Sequence, residues 1–213
     1  MPPRALILDF DGLIVDSEMP VYQAWRELYE REGVHLAVAD WLNAVGYVDG
    51  FDPRARLTQQ TGRIFDWAAL DREVSDRVRE LVWASEPLPG VVALLEAGRV
   101  AGYRLGVASN SSADWVVPGL ERLGLRHFFE VVRTVNTVAR PKPQPDVYLG
   151  ALADLGISTA AGSLAFEDSE PGVRAAKAAG LYVVAVPSEL TQHQDLSLAD
   201  ERRESLAAFR LPE

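Results

Sequence analysis

The chain has 213 residues, 48% of them hydrophobic and 24% charged, which suits a soluble folded protein with one substantial core or a core plus a small second domain. A formal net charge of −10 argues against general attraction to nucleic acid or to an anionic membrane surface. The absence of cysteine excludes disulfides and thiolate metal sites, and with no leader-like start or long apolar run a cytoplasmic protein is expected.

Ala5-Leu6-Ile7-Leu8 predicts a first buried strand, ended by Asp9-Phe10-Asp11-Gly12. Val21, Trp25, Leu28 and Tyr29 then recur at helical spacing as far as Gly33. Between residues 37 and 62, turn formers (Gly46, Asp49-Gly50, Asp52-Pro53) separate short helical stretches. Asp66 is placed to cap a long helix with Trp67, Leu70, Val74, Val78, Leu81 and Val82 on one face. Glu86-Pro87-Leu88-Pro89-Gly90 breaks that pattern as a linker. Helices and strands alternate beyond it. Helices are predicted over 91–101, up to Gly124, from Pro145-Asp146 to Gly156 and over 171–180; strands over 103–108, more weakly 131–135, 163–166 and 181–186. This order predicts an α/β fold, a doubly wound parallel sheet with right-handed crossovers. Residues 1–16 and 86–213 form the expected core, and 17–85 a small helical domain hung on two hinges above the C-terminal ends of the strands. The tail 188–213 is polar and only weakly patterned, which leaves its structure open.

Four groups of polar residues stand at the ends of these runs. Asp9 and Asp11, at i and i+2 past a strand, suit a divalent cation such as magnesium, and a carboxylate there can also attack phosphorus. Gly12 permits a tight turn or a close approach to a ligand; a solvated Asp-Gly turn is the ordinary alternative. Ser109 and Asn110 precede a helix, where they can cap it, stand beside free N–H groups that bind phosphate, or do both at once. Lys142, stiffened by Pro141 and Pro143, is one of only two lysines, with Lys177, among 21 basic side chains. Its ammonium could bridge a nucleophile and a phosphoryl oxygen. Glu167 and Asp168 are adjacent acids that repel unless a cation holds them, or else they cap the next helix together with Ser169. In the inserted segment Arg54 and Arg56 could reach a second anionic group, or be plain surface. Trp25, Trp67 and Trp83 sit at helix-core positions and are expected to pack, while His35, His127 and His193 lack metal-ligand spacing.

Taken together, Asp9-Phe10-Asp11-Gly12-Leu13-Ile14-Val15-Asp16-Ser17-Glu18, Val107-Ala108-Ser109-Asn110-Ser111, Lys142-Pro143-Gln144-Pro145-Asp146 and Phe166-Glu167-Asp168-Ser169-Glu170-Pro171-Gly172-Val173 resemble, in order, the motifs of the haloacid dehalogenase-like hydrolase superfamily. The resemblance covers almost the whole chain and is nearest the branch with a small helical cap after the first motif, which includes beta-phosphoglucomutase and sugar-phosphate phosphatases. It implies Asp9 as nucleophile and magnesium ligand, and Asp11 as general acid/base whose backbone carbonyl binds the metal. It also implies Ser109 and Lys142 on the phosphoryl oxygens, and Asp168 with Glu167 completing the metal shell.

Departures from the family narrow the expectation. Asp11 argues for phosphoryl transfer, since the dehalogenases lack that second aspartate. No lysine precedes residue 142, so the cap lysine of phosphonoacetaldehyde hydrolases and of the mutases is missing. Val21 stands where the mutases place a histidine. The expectation is a magnesium-dependent phosphatase of a small phosphorylated metabolite, a sugar phosphate for preference. A phosphomutase and a catalytically silent binding module are the alternatives. Oligomeric state is open, with a monomer as the default.

Overall fold

The structure is a computed structural model that describes residues 4–42, 45 and 51–212. Strand β1 (Ala5–Leu8) is followed by four helices: α1 (Glu18–Arg31), α2 (Val38–Trp41), α3 (Pro53–Thr61) and α4 (Trp67–Trp83). Then come α5 (Val91–Val100), β2 (Arg104–Ala108), α6 (Ala113–Arg122), β3 (Val131–Arg133), α7 (Asp146–Asp154), β4 (Leu164–Glu167), α8 (Glu170–Ala178), β5 (Tyr182–Ala185) and β6 (Glu201–Arg202). The strands form one parallel sheet in the order β3-β2-β1-β4-β5-β6. The order reverses between β1 and its neighbours, which opens a crevice at the carboxyl ends of β1, β2 and β4.

Alternation along the strands builds the two sides. Leu6 and Leu8 join Leu105, Val107 and Phe166 in a core that also takes in α5, α6 and the inserted helices. Ala5 and Ile7 face the other way, against Val147, Tyr148, Val173 and Ala176 of α7 and α8. Among the described residues the segment between β1 and α5 holds helices and no strand. There α1 packs on α4 through Trp25, Leu28 and Tyr29 against Val74, Val78 and Val82, all buried.

Helix boundaries follow local chemistry. Asp66 caps α4 by accepting from Ala69 N, and Asp52 caps α3 by accepting from Arg54 N and Ala55 N, with Pro53 in the first turn. The expected turns at Gly46 and Asp49-Gly50 lie outside the described residues.

Three expectations are corrected, and the tail, which the sequence leaves open, takes a definite form. α6 begins after Ser112, so Ser109 and Asn110 sit in the loop between strand and helix and cap nothing. β3 stops at Arg133, because the Thr137 hydroxyl accepts from Thr134 N at 3.2 Å and donates to Thr134 O at 2.8 Å, which bends the chain into a 3-10 turn. Trp83, expected to pack, is 39% exposed because it sits about 100° round α4 from the Val82 edge of the Val74-Val78-Val82 face that meets α1. The tail is ordered: β6 pairs with β5, and Leu206 and Phe209 are buried in the core. A strand of two charged residues carries no hydrophobic period that could announce it. Among the described residues no helix is long and apolar enough to cross a membrane.

Candidate active site

Every motif lands in the crevice. Asp9 follows β1, Ser109 follows β2 and Asp168 follows β4, while Lys142 reaches in from the loop before α7. Asp9, Ser109, Lys142, Glu167 and Asp168 are all buried. Burying a charge is costly unless it is paired, so the partners decide what the site can do.

Lys142 Nζ donates to Asp9 Oδ1 at 2.9 Å and to Glu167 Oε1 at 2.6 Å. Its backbone is fixed by Asn110, which accepts from Lys142 N at 2.8 Å and donates through Nδ2 to Lys142 O at 3.1 Å. Asn110 therefore holds the lysine loop in register with the end of β2. Ser109 Oγ accepts from Ser111 N at 2.9 Å, which tightens the turn beneath it. Glu167 also accepts from the hydroxyl of Tyr148, a buried residue of α7, and the Lys142 ammonium sits 5.2 Å from the centre of that ring.

Ligand oxygens of Asp9, Glu167 and Asp168 lie within 4.8 Å of one another. Burial is the largest influence on Asp9, whose pKa is pushed up to about 7 with Glu167 and Asp11 adding to the rise, against the pull of Lys142. Asp168 is raised well above the usual carboxylate range, again chiefly by burial and then by Asp9 and Glu167. Burial pulls the Lys142 pKa down, but Asp9 and Glu167 outweigh it and hold the ammonium charged. Three buried acids thus share one ammonium. A divalent cation held by carboxylate oxygens would settle this deficit, and the donor set is all oxygen, as magnesium requires.

The Asp11 carboxylate stands apart from that cluster. It accepts from Ser17 Oγ (2.6 Å), Ser111 Oγ (2.6 Å) and Trp115 Nε1 (2.8 Å). Gly12 has φ +70, and a Cβ there would lie 2.3 Å from Asp168 Oδ2. The close approach anticipated at Gly12 is therefore to Asp168 itself. Over this floor lies a cleft of about 650 Å³. Its far wall comes from the inserted helices and includes Trp25, Arg54, Asp71 and Ser75. Arg54 reaches that wall and donates to Asp71 Oδ1 at 2.8 Å. Arg56 bonds Gln59 at 3.1 Å and Asp40 at 3.4 Å and is not among the residues lining the cleft.

Several contributors escape a reading of sequence. Tyr148 and Trp115 look like ordinary helix-core residues, and Thr191, which donates to Asp168 Oδ2 at 3.3 Å, lies in the unpatterned tail. At Gly172 a Cβ would fall 1.9 Å from Glu167 Oε2. The Gly after Glu167-Asp168-Ser169-Glu170-Pro171 was the one signal that could have marked it. Glu18 also lines the cleft, and burial, then Asp11 and Asp9, push its pKa up to about 8.

Comparison with known proteins agrees with this architecture. A sequence model of the haloacid dehalogenase-like hydrolase family matches residues 6–186. YhcW of Bacillus subtilis is 38% identical over 98% of this chain and 94% of its own. Fructose-1-phosphate phosphatase YqaB of Escherichia coli is 32% identical over 85% of this chain and 95% of its own. The crystal structure of CbbY from Rhodobacter sphaeroides in complex with phosphate superposes with a TM-score of 0.77 at 28% identity, covering 97% of this chain and 96% of that one. A mutant of that protein has been solved with xylulose-(1,5)-bisphosphate. The chain belongs to the haloacid dehalogenase-like hydrolase family, and CbbY of Rhodobacter capsulatus is 34% identical to it over 98% of this chain and 96% of its own.

Proposed function

We propose that this protein is a magnesium-dependent phosphatase that hydrolyses a small sugar phosphate, with the phosphoryl group carried in transit on Asp9. The observation that carries this is the position of the Asp9 carboxylate. It stands where the strand order reverses, bonded by Lys142 and close enough to Glu167 and Asp168 to share one cation.

Asp9, Glu167 and Asp168 would hold the ion, together with the Asp11 backbone carbonyl; when bound, magnesium supplies countercharge to the phosphoryl oxygens. An oxygen of Asp9 attacks phosphorus as the bond from phosphorus to the leaving oxygen breaks. The Asp11 carboxyl gives its proton to that oxygen. In the second step Asp11 takes a proton from water as the water attacks phosphorus, and the bond from phosphorus to Asp9 breaks to release phosphate. Ser109 and Lys142 hold the phosphoryl oxygens throughout, so positioning and countercharge do the catalysis.

Residues 17–85 are the proposed cap, closing over the cleft to exclude water from the first step. Arg54, which lines the cleft, would be the cap arginine that meets the leaving group, and Arg56, which does not line it, is given no such role. A cleft of about 650 Å³ suits a small ligand. A sugar phosphate fits the names of relatives that act on or bind phosphorylated sugars.

Incubation with a panel of phosphomonoesters should release phosphate, and chelation should stop it. Full metal-dependent turnover by Asp9→Asn would overturn the covalent route. Conversion of β-glucose 1-phosphate to glucose 6-phosphate without free phosphate would make the protein a mutase. Silence across a broad panel would leave a binding module.

A further inference from the structure

Three donors converge on the Asp11 carboxylate, and they divide unequally. Ser17 Oγ (2.6 Å) and Trp115 Nε1 (2.8 Å) both donate to Oδ1, whereas among the described residues Oδ2 receives only Ser111 Oγ (2.6 Å). A carboxylate offers about four lone-pair positions, two on each oxygen. Oδ1 is thus saturated, and one acceptor position remains open, on Oδ2.

The donors also come from opposite sides of the crevice. Ser17 sits at the N-cap position of α1, where the helical insertion begins, but its hydroxyl makes no capping bond and is spent on Asp11. Trp115 lies in the first turn of α6, on the sheet side, and lines the same cleft. An indole N–H donates only; it cannot accept a proton or relay one. Trp115 can therefore orient Asp11 but take no part in the proton transfer itself.

We propose that Trp115 is a positioning residue for the reaction: its indole N–H closes the last free lone pair of Asp11 Oδ1 and so makes Oδ2 the oxygen that exchanges the proton. This rests on the phosphatase function proposed above. Without the indole N–H, Asp11 would have a second open position on the wrong oxygen and fewer bonds restraining its rotation.

The experiment is a double-mutant cycle of Trp115→Phe and Asp11→Asn in the full chain, with kcat and KM measured on a substrate identified by the panel. Trp115→Phe should lower kcat by about tenfold, the loss of one hydrogen bond to a charged group, with KM changed less than about threefold. Trp115→His, which keeps a ring N–H, should recover part of the loss. In the Asp11→Asn background Trp115→Phe should cost nothing further, because the indole acts through Asp11. A multiplicative loss in the double variant, or an unchanged kcat in Trp115→Phe, overturns the proposal. A readout independent of turnover is the indole 15N–1H resonance of Trp115, assigned by its disappearance in Trp115→Phe. It should move when Asp11→Ala removes the acceptor, and a resonance that stays put sinks the assignment. A protein without phosphatase activity would refute the proposed function, while that resonance would still decide the contact.

Discussion

Lys142 Nζ lies closer to Glu167 Oε1, at 2.6 Å, than to Asp9 Oδ1, at 2.9 Å. The lysine is thus anchored on a carboxylate at the end of β4 and presented to one at the end of β1. With side chains only 2%, 0% and 9% exposed for Lys142, Glu167 and Asp9, the three behave as one buried ionic unit.

Removing the cation from that unit leaves two buried acids facing each other. We expect Lys142→Met to abolish turnover and to destabilise the metal-free fold by about 3–5 kcal/mol, the usual consequence of breaking a buried ion pair from one side. Urea unfolding and phosphate release test the two effects separately. Lys142→Arg should not restore activity, since a planar guanidinium cannot take the place of a compact ammonium here.

Tyr148 supplies the other donor to Glu167 Oε1. Tyr148→Phe keeps the ring in its buried place and deletes one bond to a charged acceptor. We expect a loss of about 1.5–3 kcal/mol in unfolding free energy. An unchanged unfolding midpoint would show that the hydroxyl carries no weight.

Gly172 has no positive φ, so its side chain is excluded only by space. A Cβ there would meet Glu167 Oε2 at 1.9 Å, and the body of α8 cannot easily retreat. We expect Gly172→Ala to displace the Glu167 carboxylate and raise the magnesium concentration needed for half-maximal activity by about tenfold or more. Titration with the metal measures it; an unaltered midpoint would refute the role given to Glu167.

The pKa values set a pH window for the metal-free protein. Asp9 is raised to about 7 and Glu18 to about 8, each mainly by burial, from values of about 4 in the unfolded chain. A raised folded pKa means that folding takes up protons. The stability these groups contribute is complete below about pH 4 and is lost as the pH rises through about 7 to 8. A divalent cation bound at Asp9 favours its ionised form and cancels that residue's share of the loss. The gain in thermal midpoint on adding magnesium should therefore be larger near about pH 8 than near about pH 5.5. Equal gains would count against a metal held by Asp9.

Much of the fold was legible because burial leaves a mark in sequence. A parallel strand covered on both faces must be apolar throughout, and Ala5–Leu8, Arg104–Ala108, Leu164–Glu167 and Tyr182–Ala185 are nearly so. Residues just past such strands meet at the switch point, which is why sequence order alone groups Asp9, Ser109 and Asp168. β6 stayed hidden because two charged residues at a sheet edge carry no such mark.

Residue type and order alone determined that this chain would form a parallel α/β sheet with a helical insertion, and that its acids, its hydroxyl and one of its two lysines would gather at one edge. Only the tertiary structure decided which partner each would take: Glu167 for Lys142, Tyr148 for Glu167, Asp71 for Arg54, and Trp115 with two serines for Asp11. The reason is range. Hydrophobic period and turn chemistry act over a few neighbouring residues, whereas a hydrogen bond joining positions 25 or 104 residues apart exists only once packing has brought them within about 3 Å.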